Sequence, residues 1–310
     1  MNFQDVENAR KTYHQKTKKA WQITCIILLV LAAAIFIPQL IMGLKISFHT
    51  IFPSFFVLFF ILMIAIIIIS FTSRKEAAAY RNAYKTYFIE QNLRKTFTNL
   101  QYDHSQGMDK NLLKATGMVN TGDRYSSNDL TIASYKDVKF VQADARIEEE
   151  HTDSDGDTYY VTIFRGRMMI FEFPKKFNFK LELIGGGFGA ARVPGPSENG
   201  RKMSRVNTES NEFNRTFRIF GEDGFEAFYI LDPAFMVKIQ NIADHYKHKL
   251  LLGFIDNKLL IALSNGKDSF EPPKASIPID EKAELEKINS DIKVITDFVD
   301  QLSLDRKLFK

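Results

Sequence analysis

Uncharged apolar residues crowd into two runs near the N-terminus. Residues 21–42 read WQITCIILLVLAAAIFIPQLIM and residues 51–71 read IFPSFFVLFFILMIAIIIISF, without one Asp, Glu, Lys or Arg. Each run has about 20 residues. At ~1.5 Å rise per residue, a helix of that length crosses the ~30 Å hydrocarbon core of a bilayer. A backbone in lipid must satisfy its own hydrogen bonds, so both runs are expected to be helical despite their β-branched content. Pro38 and Pro53 fall near the helix ends, where a missing N–H matters least. Only residues 43–50 lie between the runs, which makes the pair an antiparallel hairpin. A cleaved signal peptide ending near Ala32–Ala34 is disfavoured, because the apolar run continues through Ile35, Phe36 and Ile37. Core helices of a soluble protein are disfavoured by two long, uninterrupted uncharged runs.

The pattern after Ser73 is amphipathic. Ala77, Ala78, Tyr80, Tyr84, Tyr87, Phe88 and Phe97 recur among charges, predicting a juxtamembrane helix over 72–100. Beyond Leu100 the period shortens. Strands are predicted at 130–134, 138–147, 159–164, 168–173 and 177–183, with turns at Asp155-Gly156 and at Gly166. They form a meander of four or five antiparallel strands. Residues 185–205, rich in Gly, Pro and basic residues, read as a loop. Residues 211–220 read as a strand with Phe213, Phe217 and Ile219 on one side. Asp232-Pro233 supplies an N-cap and a first-turn proline for a helix carrying Phe235, Met236, Ile239, Ile242 and Tyr246. Residues 250–255 and 259–264 form a hairpin around Asp256-Asn257. After a linker at Glu271-Pro272-Pro273, an amphipathic helix over 280–304 carries Leu285, Ile288, Ile292, Ile295, Val299 and Leu302 on one face, expected to pack on its own domain. The fold class is therefore α+β: a two-helix transmembrane hairpin, then a soluble antiparallel β-rich domain with flanking helices. The expected divisions are a basic tail (1–20), the hairpin (21–71), the juxtamembrane helix (72–100), an α+β domain (101–270), and a linker with the terminal helix (271–310).

Charge orients the hairpin. The N-terminal tail holds Arg10, Lys11, Lys16, Lys18 and Lys19, and the segment after the second run holds Arg74, Lys75, Arg81, Lys85, Arg94 and Lys95, against Lys45 alone between the runs. Lysine and arginine stay on the cytoplasmic side, so both ends are expected there and the short loop outside. The same cations could attract anionic lipid headgroups, though setting topology explains them more simply. Over 310 residues the net charge is +4, with no dense basic stripe of the kind a nucleic-acid binder shows. The single cysteine, Cys25, excludes an intrachain disulfide and a cysteine metal site in the soluble part.

Candidate chemistry is sparse. Asp153, Asp155 and Asp157, following Glu148-Glu149-Glu150-His151, resemble the start of a calcium loop. An EF-hand loop from Asp153 needs glycine at its sixth position and an acid at its twelfth, where Thr158 and Phe164 stand. A solvated hairpin tip is the better reading, and no metal is assigned. Gly185-Gly186-Gly187-Phe188-Gly189 follows a strand as a phosphate loop would, but Val193-Pro194-Gly195-Pro196 cannot open a helix and no Gly-Lys-Ser/Thr occurs. His245 and His248 share a helix end with Asp244, short of a zinc site and readily explained as a basic helix terminus. Asn214-Arg215-Thr216 matches a glycosylation sequon that a cytoplasmic strand would not expose to the machinery. No Gly-x-Ser-x-Gly elbow is present. Within the runs the polar residues Gln22, Thr24, Gln39, Ser54 and Ser70 include none that ionises, as a conduction path would require. No catalytic residue and no cofactor is assigned.

The order of several motifs resembles a known family. The hairpin is followed by Tyr102-Asp103 through Gly107, FRGRMMIFEF (164–173), Glu212-Phe213-Asn214 with Phe217, EAFYILDPAFM (226–236) and GFIDNKLLIAL (253–263). This arrangement resembles the bacterial domain-of-unknown-function family 3137 over about residues 87–264. The resemblance implies a membrane-attached protein of unestablished activity, in a bacterial cell membrane. Gene neighbourhood in that family implies a LemA-type membrane protein as a partner. Many members carry arginine where this chain has Phe228, so no charge role transfers there, and the family supplies no catalytic residues. The expected function is a membrane-anchored cytoplasmic binding or scaffold module contacting the bilayer, with the loop at 185–205 and the terminal helix as contact surfaces. The alternatives are a membrane-tethered hydrolase with its site assembled around His104 or His151, and a subunit of an oligomeric membrane complex. The runs carry no Gly-x-x-x-Gly face for the last of these.

Overall fold

Both apolar runs are helical. In the computed structural model, which describes residues 1–41, 48–172, 176, 179–192, 202–302 and 304 (with the side chains of 38–40 and 48–51 outside the description), they form α1 (Phe3–Ile41) and α2 (Phe48–Thr72). The expected connection at 43–50 falls largely outside the described residues. At 39 residues, α1 is about 58 Å long, so its basic N-terminal part continues well past an apolar core of ~30 Å. The Lys16 Nζ donates to the Thr72 carbonyl at 2.7 Å. The end of α2 therefore returns beside the start of the apolar part of α1, as a hairpin requires.

The chain divides into two compact units. The first comprises Met1–Ile89 with Glu271–Glu284. Here α3 (Arg74–Tyr84) runs into a π-helical turn, Lys85–Glu90. The segment 271–284 is strapped to this unit by polar contacts. Arg10 holds Glu7 in a two-pronged ion pair (2.7 and 2.8 Å) and donates to the Ala275 carbonyl at 2.6 Å, while the Ile279 amide donates to Glu7. Tyr80 donates to the Pro273 carbonyl, and Tyr84 and Tyr87 to Glu284 and Glu281. The Arg10 guanidinium holds the Glu7 carboxyl below its usual range.

The second unit, Glu90–Phe270 with Leu285–Lys310, is built on one antiparallel sheet. It contains nine strands among the described residues, in the order β1-β2-β3-β4-β9-β8-β5-β7-β6. These are β1 (Thr98–Asp103), β2 (Arg124–Tyr135), β3 (Val138–Thr152), β4 (Thr158–Glu172), β5 (Leu181–Gly185), β6 (Ser204–Val206), β7 (Phe217–Gly221), β8 (Leu250–Ile255) and β9 (Lys258–Leu263). The helices are α4 (Gln91–Thr96), α5 (Lys110–Thr116), α6 (Asn211–Thr216), α7 (Gly224–Ile230), α8 (Pro233–His245) and α9 (Glu281–Leu302), the last beginning in the first unit.

Several boundaries differ from the sequence reading. The juxtamembrane helix ends at Thr96, because Phe97 turns extended and buries its ring edge-on against Phe140, 4.9 Å between centroids. Gly166 is no turn: it lies inside β4, which pairs with β3 from Glu172↔Lys139 to Thr158↔Thr152. Residues 211–216 form a helix, capped by the Ser210 hydroxyl on the Phe213 amide, and only from Phe217 does the chain become a strand. The strand read at 177–183 is β5, with residues 177 and 178 outside the described ones. The Asp232 cap on the Phe235 amide (2.8 Å), the β8–β9 hairpin and α9 lie where the pattern puts them.

Both sheet faces are covered. On one, Ala143, Ile147, Phe164, Met168, Ile170, Leu251 and Leu260 pack with Leu113 of α5, Met118 and Phe188. On the other, Phe235 of α8 meets Phe254 of β8, and the apolar stripe of α9 (Ile288, Ile292, Ile295, Val299, Leu302) is buried. At Gly166 a methyl group would lie 2.0 Å from the Leu263 carbonyl oxygen of the adjoining strand, and the backbone there has φ +156°. Gly166→Ala is expected to destabilise the protein by about 2 kcal/mol or more, against roughly 1 kcal/mol for Gly156→Ala, where φ is +88° but the added carbon meets open space. Thermal unfolding of the detergent-solubilised chain measures both.

Candidate buried carboxylate network

The chemistry-bearing groups that the fold brings together are ones the sequence reading did not single out. Asn128, Asp144 and Arg167 are register partners across β2, β3 and β4. Beside them β2 is irregular between Asn128 and Thr131, and Asp129 takes a left-handed φ of 59°. That irregularity turns the Asp129 carboxylate toward Asp144 and Asp268. One oxygen from each of the three carboxylates lies within 4.8 Å of the others.

Each charge in this network has neighbours. Arg167, 1% exposed, sits with Nε 3.6 Å from Asp144 Oδ1, donates to the Asp291 carbonyl of α9, and stacks over the Phe270 ring at 4.9 Å. The Ser269 amide donates to Asp144 Oδ2 at 2.9 Å. Tyr102 and Asn128 donate to Asp129. Burial pushes the Asp144 carboxyl up to about 7 against the pull of Arg167, with the Asp268 and Asp129 charges adding to the rise. Burial and Asp129 push the Tyr102 phenol up as well. Three carboxylates are the right donor class for a hard divalent cation. However, the Arg167 guanidinium already sits beside Asp144 as counter-charge and would repel a second cation. Asp144 Oδ1 and Arg167 Nε and Nη2 find no hydrogen-bond partner among the described residues, so the pair is held by charge and burial.

A second buried acid lies elsewhere in the sheet. Glu182 of β5 is fully buried, and neither carboxylate oxygen accepts a hydrogen bond from the described residues. Burial pushes its carboxyl up to about 8, opposed by the charges of Lys180 and Arg218.

The residues singled out from sequence are placed apart. Asp153, Asp155 and Asp157 occupy the exposed β3–β4 turn, where the Asp153 Oδ1 accepts the amides of Asp155 (3.0 Å) and Asp157 (2.9 Å). His151 stacks on Tyr159 nearby, at 5.7 Å. His104 gives only its carbonyl to the Asp129 amide, at 3.4 Å. The glycine stretch uses its own amides: Gly186 bonds the Thr216 carbonyl and Gly187 the His248 carbonyl. Residues 193–196, which complete that reading, lie outside the described residues. His248 bonds Asp244 at 2.9 Å, whereas His245 turns into a cleft of about 550 Å³ between α8 and α9, so the two do not converge. Asn214 bonds Thr208 from within α6.

Residues 162–304 match the model of a family described as "Protein of unknown function (DUF3137)". This stretch is a DUF3137 domain. The DUF3137 region takes in most of β4 and everything from β5 to α9, which is an unbroken block of the sheet from β4 to β6. Arg167, Asp268 and Asp291 fall inside it; Asp129 and Asp144 precede it. No curated protein matches the chain. A solved structure, that of the mycobacterial trehalose monomycolate transport factor A, TtfA, aligns with a TM-score of 0.39 at 9% identity, over 72% of this chain and 94% of that one. A likeness at that score carries no argument.

Removing Arg167 leaves Asp144 buried without its counter-charge. Arg167→Met is expected to lose about 3 kcal/mol or more, and the loss to shrink when Asp144→Asn is introduced first; a double-mutant cycle by denaturant unfolding reads the coupling. For Glu182 the sign follows from a raised acid. The fold keeps a proton that the unfolded chain releases above its ordinary value of 4.5, so stability from this group is greatest at low pH and falls until about pH 8. Glu182→Gln is expected to flatten that fall and to be more stable than wild type at pH 8 by on the order of 2 kcal/mol. Thermal midpoints from pH 5 to 9 would contradict this if the two proteins ran parallel.

Proposed function

We propose that this protein is a membrane-anchored binding module, held by α1 and α2 with both termini in the cytoplasm. The observation that carries the reading is the exposure of the apolar helices. In the stretches of α1 and α2 that qualify as membrane spans, only 6% of residues are buried by protein. Ile26, Leu29, Val30, Phe55, Phe60, Ile67 and Phe71 all face outward. A core helix of a soluble protein would be covered by its own fold, and an apolar surface of this extent is not stable in water. Lipid is the cover that fits. The lysine and arginine asymmetry around the runs supports the cytoplasmic orientation.

Binding rather than catalysis is favoured by the soluble unit. Its buried acids are locked into the sheet rather than opened to a cleft. The apolar stripe of α9, expected as a contact surface, is consumed by its own domain. Among the exposed apolar residues of this unit, Phe225 (87% exposed), Phe228 and Tyr229 lie together on α7, with Val237 exposed on α8. Patches of this kind mark interaction sites for other proteins, and the family's implied LemA-type neighbour is one such partner.

Two measurements test the reading. The intact chain should resist extraction from membranes by alkaline carbonate, and a reporter fused after Lys310 should be active only in the cytoplasm; recovery in the soluble fraction overturns the anchor. Phe225→Ser with Tyr229→Ser should leave the thermal midpoint within about 2 °C of wild type while reducing cross-linked partner recovery from native membranes, since the residues replaced are already exposed.

A further inference from the structure

The first unit contains a groove where α1 and α2 pass from apolar to charged sequence. It has a volume of about 770 Å³. Trp21, Ile66 and Ile69 form its apolar end. Lys18, Arg74 and Arg81 line the other end. Thus one cavity joins these three helix cations, and Lys274 from the segment 271–276, to an aromatic and aliphatic floor, at the level where each apolar run stops.

The neighbouring ion pairs sharpen the contrast. Lys16, one turn from the groove, is paired with Glu76 at 2.6 Å. Arg10 is paired with Glu7, and Glu271, the acid on the groove's rim, lies 3.5 Å from the Lys85 ammonium. Among the described residues, none of the groove's four lysines and arginines (Lys18, Arg74, Arg81 and Lys274) has a carboxylate within ion-pair distance; Lys274 lies on the segment 271–276 and the other three on α1 and α3. The wall opposite them is held firmly: Tyr80, stacked on Tyr13 at 6.5 Å, donates to the Pro273 carbonyl, so the segment 271–276 is fixed as one side. The charge is thus presented to a preformed recess rather than to open solvent.

We propose that this groove binds the phosphodiester headgroup of an anionic phospholipid, with Lys18, Arg74 and Arg81 on the phosphate and the acyl chains leaving past Trp21, Ile66 and Ile69. The proposal rests on the membrane reading above. Its chemistry is that of guanidinium and ammonium donors on phosphate oxygens, with a tryptophan at the headgroup level. Simple orientation of the hairpin needs only the number of cations near the spans. A headgroup site needs these three in particular.

That distinction sets the experiment. The full chain is purified in mild detergent from membranes containing phosphatidylglycerol and phosphatidylcholine, and retained lipid is weighed by native mass spectrometry. A groove variant (Lys18→Gln, Arg74→Gln, Arg81→Gln) is compared with a control that loses the same three charges from exposed positions outside the groove (Lys11→Gln, Lys19→Gln, Lys75→Gln). Wild type and control should retain phosphatidylglycerol preferentially, and the groove variant about tenfold less or lower still. If the triple groove variant does not insert, Arg81→Gln alone is read in its place and should show a smaller loss. Equal loss in both variants, or no preference for phosphatidylglycerol in wild type, overturns the site. Displacement of the lipid by millimolar inorganic phosphate overturns the lipid as its ligand. The carbonate extraction separates the two readings: a chain that stays in the membrane yet holds no anionic lipid refutes the groove alone.

Discussion

Apolar side chains must be covered by something other than water, and α1 and α2 find almost no cover within the protein. Every larger statement about this molecule depends on that shortfall. On the proposed anchoring it makes a bilayer part of the folded state, constrains where the charged ends of α1 and α3 lie, and makes the boundary between apolar and basic sequence the place where lipid and protein chemistry meet. The few buried positions in the spans include Thr24 and Ser54, small polar residues of the type that bring helices together in lipid, where leucine on leucine gains nothing over leucine on an acyl chain.

The soluble sheet faces the opposite problem. Both of its faces are covered, so some polar residues on its strands, Thr131, Gln142, Asp144, Arg167 and Glu182 among them, are sealed in. Strand β3 reads as alternating, and alternation ordinarily means that one face is wet. Here Gln142 and Asp144 lie on the face that β4 and α9 close over, and Arg167 reaches the α9 backbone at Asp291. This is why the carboxylate network was not legible in the chain. Its members come from β2, β3, β4 and the stretch after β9, up to 140 positions apart, and no local spacing joins them. The features that were legible are those with local causes: Asp232 ahead of Pro233, the turn at Asp256, the turn at Gly156, and the heptad-like stripe of α9. Gly166 misled because glycine has two uses. It breaks strands, and it also lets two backbones come closer than a Cβ permits; here the second applied. The helix at 211–216 was hidden by phenylalanines whose spacing suits either period over so short a stretch.

The DUF3137 match and the fold meet in a useful way. The matched stretch omits the hairpin, the first unit's helices and β1 to β3, yet it holds a contiguous six-strand portion of the sheet with α8 and α9 against it. Of the motifs that carry the resemblance, those from Phe164 onward fall within this packed block, while the hairpin and Tyr102 through Gly107 lie outside the match. The buried arginine belongs to that block, while Asp144, the acid beside it, lies outside.

The strand order carries a consequence for how the polypeptide is made. The chain runs through β1 to β4, then lays down β5, β6 and β7, and only afterwards supplies β8 and β9, which slot between β4 and β5. Until about residue 263 leaves the ribosome, two half-sheets stand with open inner edges, each offering a row of unsatisfied amides and carbonyls to any passing strand. On the proposed anchoring, a nascent chain tethered by its first helices is confined to one surface during that interval. Such tethering before closure would shield a late-completing sheet from its neighbours, giving an anchor placed ahead of the sheet a value in biogenesis beyond attachment.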